Sequence, residues 1–262
     1  NARDLPWRRT SDAYAILVSE AMLQQTQVGT VVGYYRRFMK AFPDAKSLAD
    51  ADEKEVLALW SGLGYYRRAR SLQSAARVMV TEHAGHFPQE EKAALDLPGV
   101  GRYTAGAVLS IAYGLPRALV DGNVERVFSR FFGLDGVSGS RELVSRCWEL
   151  AESLVPRERA GDWNQALMEL GALICTPRQT ACAECPLKRS CQARKEGRVS
   201  ELPRPKSINS SSALALGVSV IPIPRIIALP LSCKHSHSFA SGRILRLPFA
   251  RFICVIVLFF VI

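Results

Sequence analysis

The stretch "LPGVGRYTAGAVLSIAYG", residues 97–114, decides the fold, because a proline and two glycines separate two helical segments. The preceding segment "EEKAALDL" is helical in character and an alanine-rich helix follows, which together predict a helix–hairpin–helix. Gly99 and Gly101 leave backbone N–H groups unobstructed beside a helix N-terminus, where anions bind. With Arg102 next to them, we expect the hairpin to bind a phosphate group. The alternative is an ordinary turn between two helices, closed by a left-handed glycine.

Composition favours a partner with negative charge. The 262 residues carry a net charge of +10 at pH 7, with a pI near 9.5, which is typical of proteins that bind nucleic acid or an anionic membrane surface. Up to residue 206, helix-period segments alternate with short Gly/Pro turns, so we predict an all-α fold. Seven cysteines, an odd number, argue against a secreted scaffold held by disulfides.

Residues 207–262 differ in composition from the rest of the chain. They hold five of the 34 Lys and Arg residues and none of the 24 Asp and Glu residues, and they are rich in Ser, Ile and Pro without a consistent period. Their final apolar run, residues 252–262, is shorter than the roughly 20 residues that span a bilayer. We therefore predict an unstructured tail rather than a folded domain, and no membrane partner.

Four cysteines crowd into one loop, "CTPRQTACAECPLKRSC", residues 175–191, with the spacing C-x6-C-x2-C-x5-C. Four thiolates on a short loop enclose a zinc ion or hold an iron–sulfur cluster, and the spacing alone leaves both open. A single tight loop, rather than two separated C-x2-C pairs, favours the cluster. Lys188 and Arg189 lie on this loop, so we expect it to present positive charge to a phosphate backbone. The four candidate ligands are Cys175, Cys182, Cys185 and Cys191.

One acid stands in an otherwise apolar run. The stretch "AILVSEAMLQQTQV", residues 15–28, predicts a buried helix that contains Glu20, with Ser11 or Asp12 as its N-cap. An ionised carboxylate that is buried without a partner costs several kcal/mol, so the group pairs or stays protonated. Glu20 is therefore either a core glutamate satisfied by hydrogen bonds or a catalytic acid whose pKa is raised by apolar surroundings.

A second acid, Asp121, lies in "RALVDGNVERVFSRFFG", residues 117–133, directly before a predicted helix. N-capping is a complete structural explanation for an aspartate at that position. A pair of carboxylates is also what cleavage of a C1′–N glycosidic bond needs, since one group protonates the leaving base and the other stabilises the sugar cation. On that hypothesis Glu20 is the proton donor.

Several motifs together resemble the MutY-type adenine DNA glycosylases of the helix–hairpin–helix superfamily, which includes endonuclease III. The resemblance covers about residues 5–206 and is carried by "VSEAMLQQTQV", "GLGYYRRAR", "LPGVGRYTAG", "LVDGNVERV", "NQALMELGALIC" and the cysteine loop. It implies two helical lobes: a six-helix lobe, residues 11–116, and an iron–sulfur lobe formed by residues 1–10 and 117–206. DNA would lie in the cleft between them, with adenine flipped into a pocket.

The resemblance also implies roles for individual residues. Glu20 would protonate adenine, Asp121 would stabilise the C1′ cation, and Asn123 would hold the sugar end. Bifunctional relatives carry a Schiff-base lysine where this chain has Tyr103, so we expect a monofunctional enzyme. The implied substrate-binding residues are Trp7, Arg8, Leu23, Gln24, Thr26, Tyr65 and Gln165. The implied cofactors are a 4Fe–4S cluster on the four cysteines and an alkali cation at the hairpin carbonyls of residues 95–100.

The implied partners are duplex DNA with adenine opposite 8-oxoguanine or guanine, together with repair and replication proteins. We expect a monomer located in the nucleus, the mitochondrion or both. Members of the family carry a C-terminal Nudix-like domain, which residues 207–262 do not resemble. Two alternatives stay open: an impaired, truncated isoform that binds DNA or partner proteins, and a pyrimidine-lesion glycosylase and lyase on the same fold.

Overall fold

The computed structural model describes residues 3–206, and this part of the chain is helical. Its only β-type pairing is an isolated parallel bridge between Val137 and Arg204. The all-α prediction is confirmed, whereas the prediction of an unstructured tail falls on residues 207–262, outside the described part. No helix within residues 3–206 is long and apolar enough to cross a membrane.

Eleven α-helices, one 3₁₀ helix (Pro6–Arg8) and one π-helix (Leu170–Ile174) make up the described range. The α-helices are α1 Ala13–Leu23, α2 Val28–Ala41, α3 Ala45–Asp50, α4 Glu53–Trp60, α5 Arg67–Glu82, α6 Glu91–Asp96, α7 Arg102–Tyr113, α8 Gly122–Phe132, α9 Arg141–Leu154, α10 Ala160–Glu169 and α11 Gln192–Lys195.

Helices α1 to α7 surround a first hydrophobic core, in which Met22, Phe38 and Trp60 are fully buried. Residues 11–116 contain seven helices where the resemblance implied six, since two short helices, α3 and α4, follow one another. The break between them is local: Asp52 leaves the helical conformation, and its carboxylate accepts a hydrogen bond from the backbone N–H of Lys54.

Helices α8, α9 and α10 enclose a second core around Phe128 and Trp163. Helix α7 belongs to both cores, because Val108 faces the first and Ala107 the second. Gly106 lets the backbone of residue 118 approach so closely that an added Cβ would lie 2.0 Å from the carbonyl oxygen of Ala118. Helix α7 is thus a wall shared by the two lobes.

The N-terminal segment bridges the two lobes. Leu5 and Trp7 are buried in the first core, although the resemblance grouped residues 1–10 with the second lobe. The guanidinium groups of Arg3 and Arg8 instead pair with Glu169 at the end of α10. The segment therefore buries Leu5 and Trp7 in one lobe, while Arg3 and Arg8 pair with an acid of the other.

The helix–hairpin–helix is confirmed as α6, a tight turn and α7. Gly99 has φ +76°, and a Cβ at this position would lie 2.6 Å from the Cβ of Ser71 on α5. Both the left-handed backbone and the close contact require glycine here. The hairpin is thereby seated against α5.

Candidate active site

A cavity of about 510 Å³ lies between the two lobes. Its walls come from the N-terminal segment, α1, α7, the start of α8, and α10 with the π-helix that follows it. Ten of the residues singled out in the sequence line it: Trp7, Arg8, Glu20, Leu23, Gln24, Thr26, Tyr103, Asp121, Asn123 and Gln165. The two candidate catalytic carboxylates therefore share one chamber.

Glu20 reaches this cavity from the middle of α1. Asp12 caps the helix by accepting a hydrogen bond from the backbone N–H of Ala15 at 2.8 Å, which confirms one of the two predicted caps. Glu20 is only 5% exposed, and the hydroxyl of Tyr103 donates to its Oε2 at 2.8 Å. Burial is the main cause that raises the pKa of Glu20, to about 7; the Tyr103 hydrogen bond lowers it, Asp121 raises it and Arg8 lowers it.

Asp121 is the N-cap of α8, as predicted. Its Oδ1 accepts hydrogen bonds from the backbone N–H groups of Asn123 at 2.9 Å and Val124 at 2.8 Å. Its Oδ2 accepts from the side-chain amide of Asn123 at 2.8 Å. The donors and the positive end of the helix dipole together stabilise a negative charge on this side chain. The capping and catalytic explanations for Asp121 are therefore compatible.

Asn123 in turn is held from the cysteine loop side. Arg126 donates to the Oδ1 of Asn123 at 2.8 Å, and also to the carbonyl oxygens of Gly171 at 2.8 Å and Cys175 at 2.7 Å. Burial lowers the pKa of Arg126, and the nearby Cys175 opposes that effect. A continuous chain of hydrogen bonds therefore runs from the first cysteine to Asp121.

Arg8 lines the cavity and forms an ion pair with a buried acid, Glu169. Glu169 is 1% exposed, and its carboxylate pairs with both Arg8 and Arg3. An unpaired buried carboxylate is costly, so this acid and the two arginines stabilise one another. The pairing fixes Arg8 near Glu20, whose pKa it lowers.

A second cavity, of about 400 Å³, lies between α1, α5 and the hairpin. Tyr65 and Gly99 line it, and Gln24 lines both cavities. Tyr65 is 62% exposed and has φ +49°, an uncommon conformation for a residue other than glycine. Tyr65 is therefore not part of the chamber around Glu20, but stands beside it on the surface.

The other predicted DNA-binding residues do not line the cavity around Glu20. Gly101 is the N-cap of α7, with open space around it. Arg102 lies 3.8 Å over the ring of Trp148 and pairs with Glu152, so its guanidinium has partners within the protein. Lys188 donates to the carbonyl oxygen of Ala183 at 2.6 Å. Arg189 is exposed on the cysteine loop.

The four cysteines line a third, small cavity of about 30 Å³ together with Arg130. Burial is the main cause that raises the pKa of Cys185, to about 11, with the neighbouring cysteines adding to it. Within residues 3–206, no three or more His, Cys, Asp or Glu side chains form a group placed to hold a metal ion.

Residues 18–153 match the family described as HhH-GPD superfamily base excision DNA repair protein. The chain belongs to this superfamily. Two similar proteins named adenine DNA glycosylase are those of Homo sapiens, 48% identical over 80% of this chain, and Mus musculus, 50% identical over 77%. The chain spans 40% of the human protein's length and 41% of the mouse protein's length.

Solved structures of the HhH-GPD superfamily share this fold. A thermostable thymine-DNA glycosylase has a TM-score of 0.68 at 36% identity, covering 74% of this chain and 89% of its own. A trapped endonuclease III–DNA covalent intermediate has a TM-score of 0.62 at 22% identity, covering 71% and 86%. At that identity the second comparison supports the fold alone.

Sequence reasoning missed several residues of this HhH-GPD site. Met168 contacts the hydroxyl of Tyr103 at 3.4 Å, and Glu169 holds Arg8. Both lie inside the motif "NQALMELGALIC". No local pattern there indicates that Glu169 pairs with Arg3, which is 166 residues away in the sequence. Helical spacing, by contrast, does place Ile16 on the same face of α1 as Glu20, and Ile16 also lines the cavity.

Proposed function

We propose that this chain is an adenine DNA glycosylase of base excision repair, which hydrolyses the N-glycosidic bond of adenine opposite 8-oxoguanine or guanine. The observation that carries the proposal is the pair of carboxyl groups in one cavity: Glu20, with a pKa near 7, and Asp121 at a helix N-terminus. The names of the most similar proteins reported above agree with adenine as the base.

The two carboxyl groups suit opposite tasks in this reaction. Near neutral pH a large fraction of Glu20 carries its proton, which it donates to a ring nitrogen of the flipped base. Loss of the base leaves an oxocarbenium-like sugar, and Asp121 lies ready to stabilise that positive charge. Asn123 donates to Asp121 and so fixes the direction of the carboxylate. Glu20, once ionised, accepts a proton from the attacking water.

The cavity supports a monofunctional reaction. A lyase of this superfamily needs an amine that forms a Schiff base with C1′. No lysine is present among the residues that line the cavity in the described part of the chain. Tyr103 is directed to Glu20 instead. We therefore propose base removal without strand cleavage.

We propose that Cys175, Cys182, Cys185 and Cys191 hold a 4Fe–4S cluster. The four side chains line a common cavity, and Arg130 Nη1 lies 3.4 Å from the Sγ of Cys175, where it would balance the negative charge of a cluster ligand. When bound, the cluster would brace the loop that carries Lys188 and Arg189. We keep the alkali cation at residues 95–100 as a further proposal.

The proposed partners are duplex DNA with the mispairs named above and other repair and replication proteins. The net charge of +10 suits the first of these. We propose that the chain acts as a monomer in the nucleus, the mitochondrion or both, on the strength of the resemblance to eukaryotic members of the family.

Single-turnover assays on three duplexes test this function: adenine opposite 8-oxoguanine, adenine opposite guanine, and thymine opposite guanine. We expect adenine release on the first two, and strand breaks only after hot alkali. Glu20→Gln should bind the duplex and release no base. Release of thymine alone, strand cleavage trapped by borohydride, or binding without release by the wild type would each contradict the proposal.

A further inference from the structure

Two surface segments next to the active site have unusual backbone conformations. In the first, residues 24–26, Gln25 has φ +58°, and in the second, residues 62–65, Tyr65 has φ +49°. Residues in such conformations persist only where the surrounding structure holds them in place. Residues 27–61 separate the two segments in the sequence, so a tertiary contact must fix the segments relative to one another.

One side chain, that of Arg68, contacts both segments. Its Nη1 donates to the carbonyl oxygens of Ala21 at 3.0 Å and Met22 at 2.9 Å, and also to that of Gln24. Its Nη2 contacts the hydroxyl of Thr26 at 3.2 Å and, in the other segment, the carbonyl oxygens of residues 63 and 64 at 3.3 and 3.2 Å. The planar, rigid guanidinium is the group that can serve acceptors on two sides at once.

The acceptors explain why a cation suits this place. Ala21 and Met22 are in the last turn of α1, where carbonyl oxygens have no partner within the helix and carry the negative end of its dipole. The guanidinium of Arg68 also lies 5.3 Å from the ring centroid of Tyr65, within cation–π range. It thereby supports the most exposed aromatic ring beside the site.

The position of Arg68 in its own helix also indicates that its contacts with other elements hold it in place. It is the second residue of α5, whose first turn contains no acid, although the positive end of a helix dipole disfavours a cation there. The hydrogen bonds that Arg68 makes to carbonyl oxygens of α1 compensate for this unfavourable position of a cation in the first turn. The side chain is half-buried, and its Nη1 and Nη2 both bind protein acceptors, which leaves them occupied rather than directed to a phosphate.

We propose that Arg68 is a positioning residue that fixes residues 24–26 relative to residues 62–65, and that it sets how well the enzyme distinguishes the base opposite adenine. The proposal rests on the proposed function and on the resemblance, which implies that Gln24, Thr26 and Tyr65 bind the substrate. It assigns Arg68 no part in the chemistry at Glu20. A change at Arg68 should therefore alter discrimination without altering the pH dependence of adenine release.

Hydrogen exchange without DNA tests the positioning itself, so its result does not depend on the proposed function. Arg68→Lys keeps the positive charge but replaces the planar guanidinium, with its two NH₂ groups, by a single ammonium group. We expect exchange at least about tenfold faster in peptides covering residues 21–26 and 62–66, because losing one charge-assisted hydrogen bond changes a local opening equilibrium by that order. The matched control is Arg70→Lys, on the same helix, where an exposed arginine pairs with Glu53.

The same variants are then compared on duplexes with adenine opposite 8-oxoguanine and opposite guanine. Arg68→Lys should reduce the ratio of the two single-turnover rates by about tenfold and leave the alkaline limb of the pH profile unchanged. If the wild type releases no adenine, the proposed function fails while the exchange result still decides the positioning role. Equal loss of rate on both duplexes, with a lower Tm, would reduce Arg68 to a purely structural residue and overturn the inference.

A second substitution tests the same contact independently, in case the lysine variant misfolds. Thr26→Val removes one acceptor of Arg68 at a half-buried position, together with the hydrogen bond of 3.4 Å that the Thr26 hydroxyl donates to the carbonyl oxygen of Gln24. Exchange should become faster in residues 21–26 and stay unchanged in residues 62–66. Unchanged exchange in both variants would show that Arg68 does not hold the segments, and the inference would be wrong.

Discussion

The substitution Glu20→Gln should change how the stability of the folded protein depends on pH. Burial is the main reason that the pKa of Glu20 is raised from 4.5 to about 7 in the folded chain. The unfolded chain has no such environment, so there the carboxyl ionises near its ordinary pKa. Between pH 4.5 and 7, the unfolded state therefore loses a proton that the folded state retains.

The sign and size follow from proton linkage. A group whose pKa is raised on folding gives its full stabilisation below pH 4.5 and loses it as the pH rises towards 7. At about 1.4 kcal/mol for each pH unit between these pKa values, the free energy of unfolding should fall by about 3 kcal/mol. Glutamine does not ionise, so the variant lacks this loss. Relative to wild type, Glu20→Gln should gain about 3 kcal/mol of stability between pH 4.5 and 8.

Urea unfolding from pH 4.5 to 8.5 measures the difference in free energy of unfolding between the two proteins. The matched control is Glu53→Gln, since Glu53 is half exposed and its ion pair with Arg70 lies in solvent. For the control, the difference should stay constant within about 0.5 kcal/mol. A difference for Glu20→Gln that is equally constant would refute the reasoning, because Glu20 would then ionise alike in both states.

Three further predictions concern the Tyr103 hydroxyl, the cysteine loop and the hairpin. Tyr103→Phe removes a hydroxyl that lowers the pKa of Glu20, so the alkaline limb of the adenine-release profile should move to higher pH; a shift to lower pH would contradict the assigned role. Purified protein should contain about four irons per chain, and Cys191→Ser should lower iron content and Tm together, whereas one zinc per chain would rule out the cluster. Gly99→Ala should destabilise the protein by about 1–3 kcal/mol, while Gly101→Ala, with open space around it, should change stability little in urea melts.

The sequence was most informative where structure depends on neighbouring residues. The hairpin, the cap of α1 at Asp12 and the cap of α8 at Asp121 were all predictable, because turns and caps are formed by residues a few positions apart. The acid in an apolar run likewise identified Glu20, since burial of a carboxylate needs a reason. Local chemistry was therefore enough to bring both carboxylates into the prediction.

Long-range pairings were not predictable in the same way. Nothing near Glu169 in the sequence indicates that it binds Arg3 and Arg8, and nothing near Arg102 indicates that Trp148 and Glu152 would occupy its guanidinium. The ion-pair partner of a charged residue is one of the groups that the folded chain brings close to it, and these groups can be distant in the sequence. The tertiary arrangement, rather than residue type, decided which arginines face solvent.

Helix α7, with side chains in both hydrophobic cores, has a consequence for how the cleft works. Two lobes that share a packed helix cannot swing apart without opening close-packed contacts in both. The width of the cleft is therefore set before any substrate arrives. On the proposed function, the nucleic acid makes the larger movement, and a base that already pairs poorly is the one that reaches the chamber most readily.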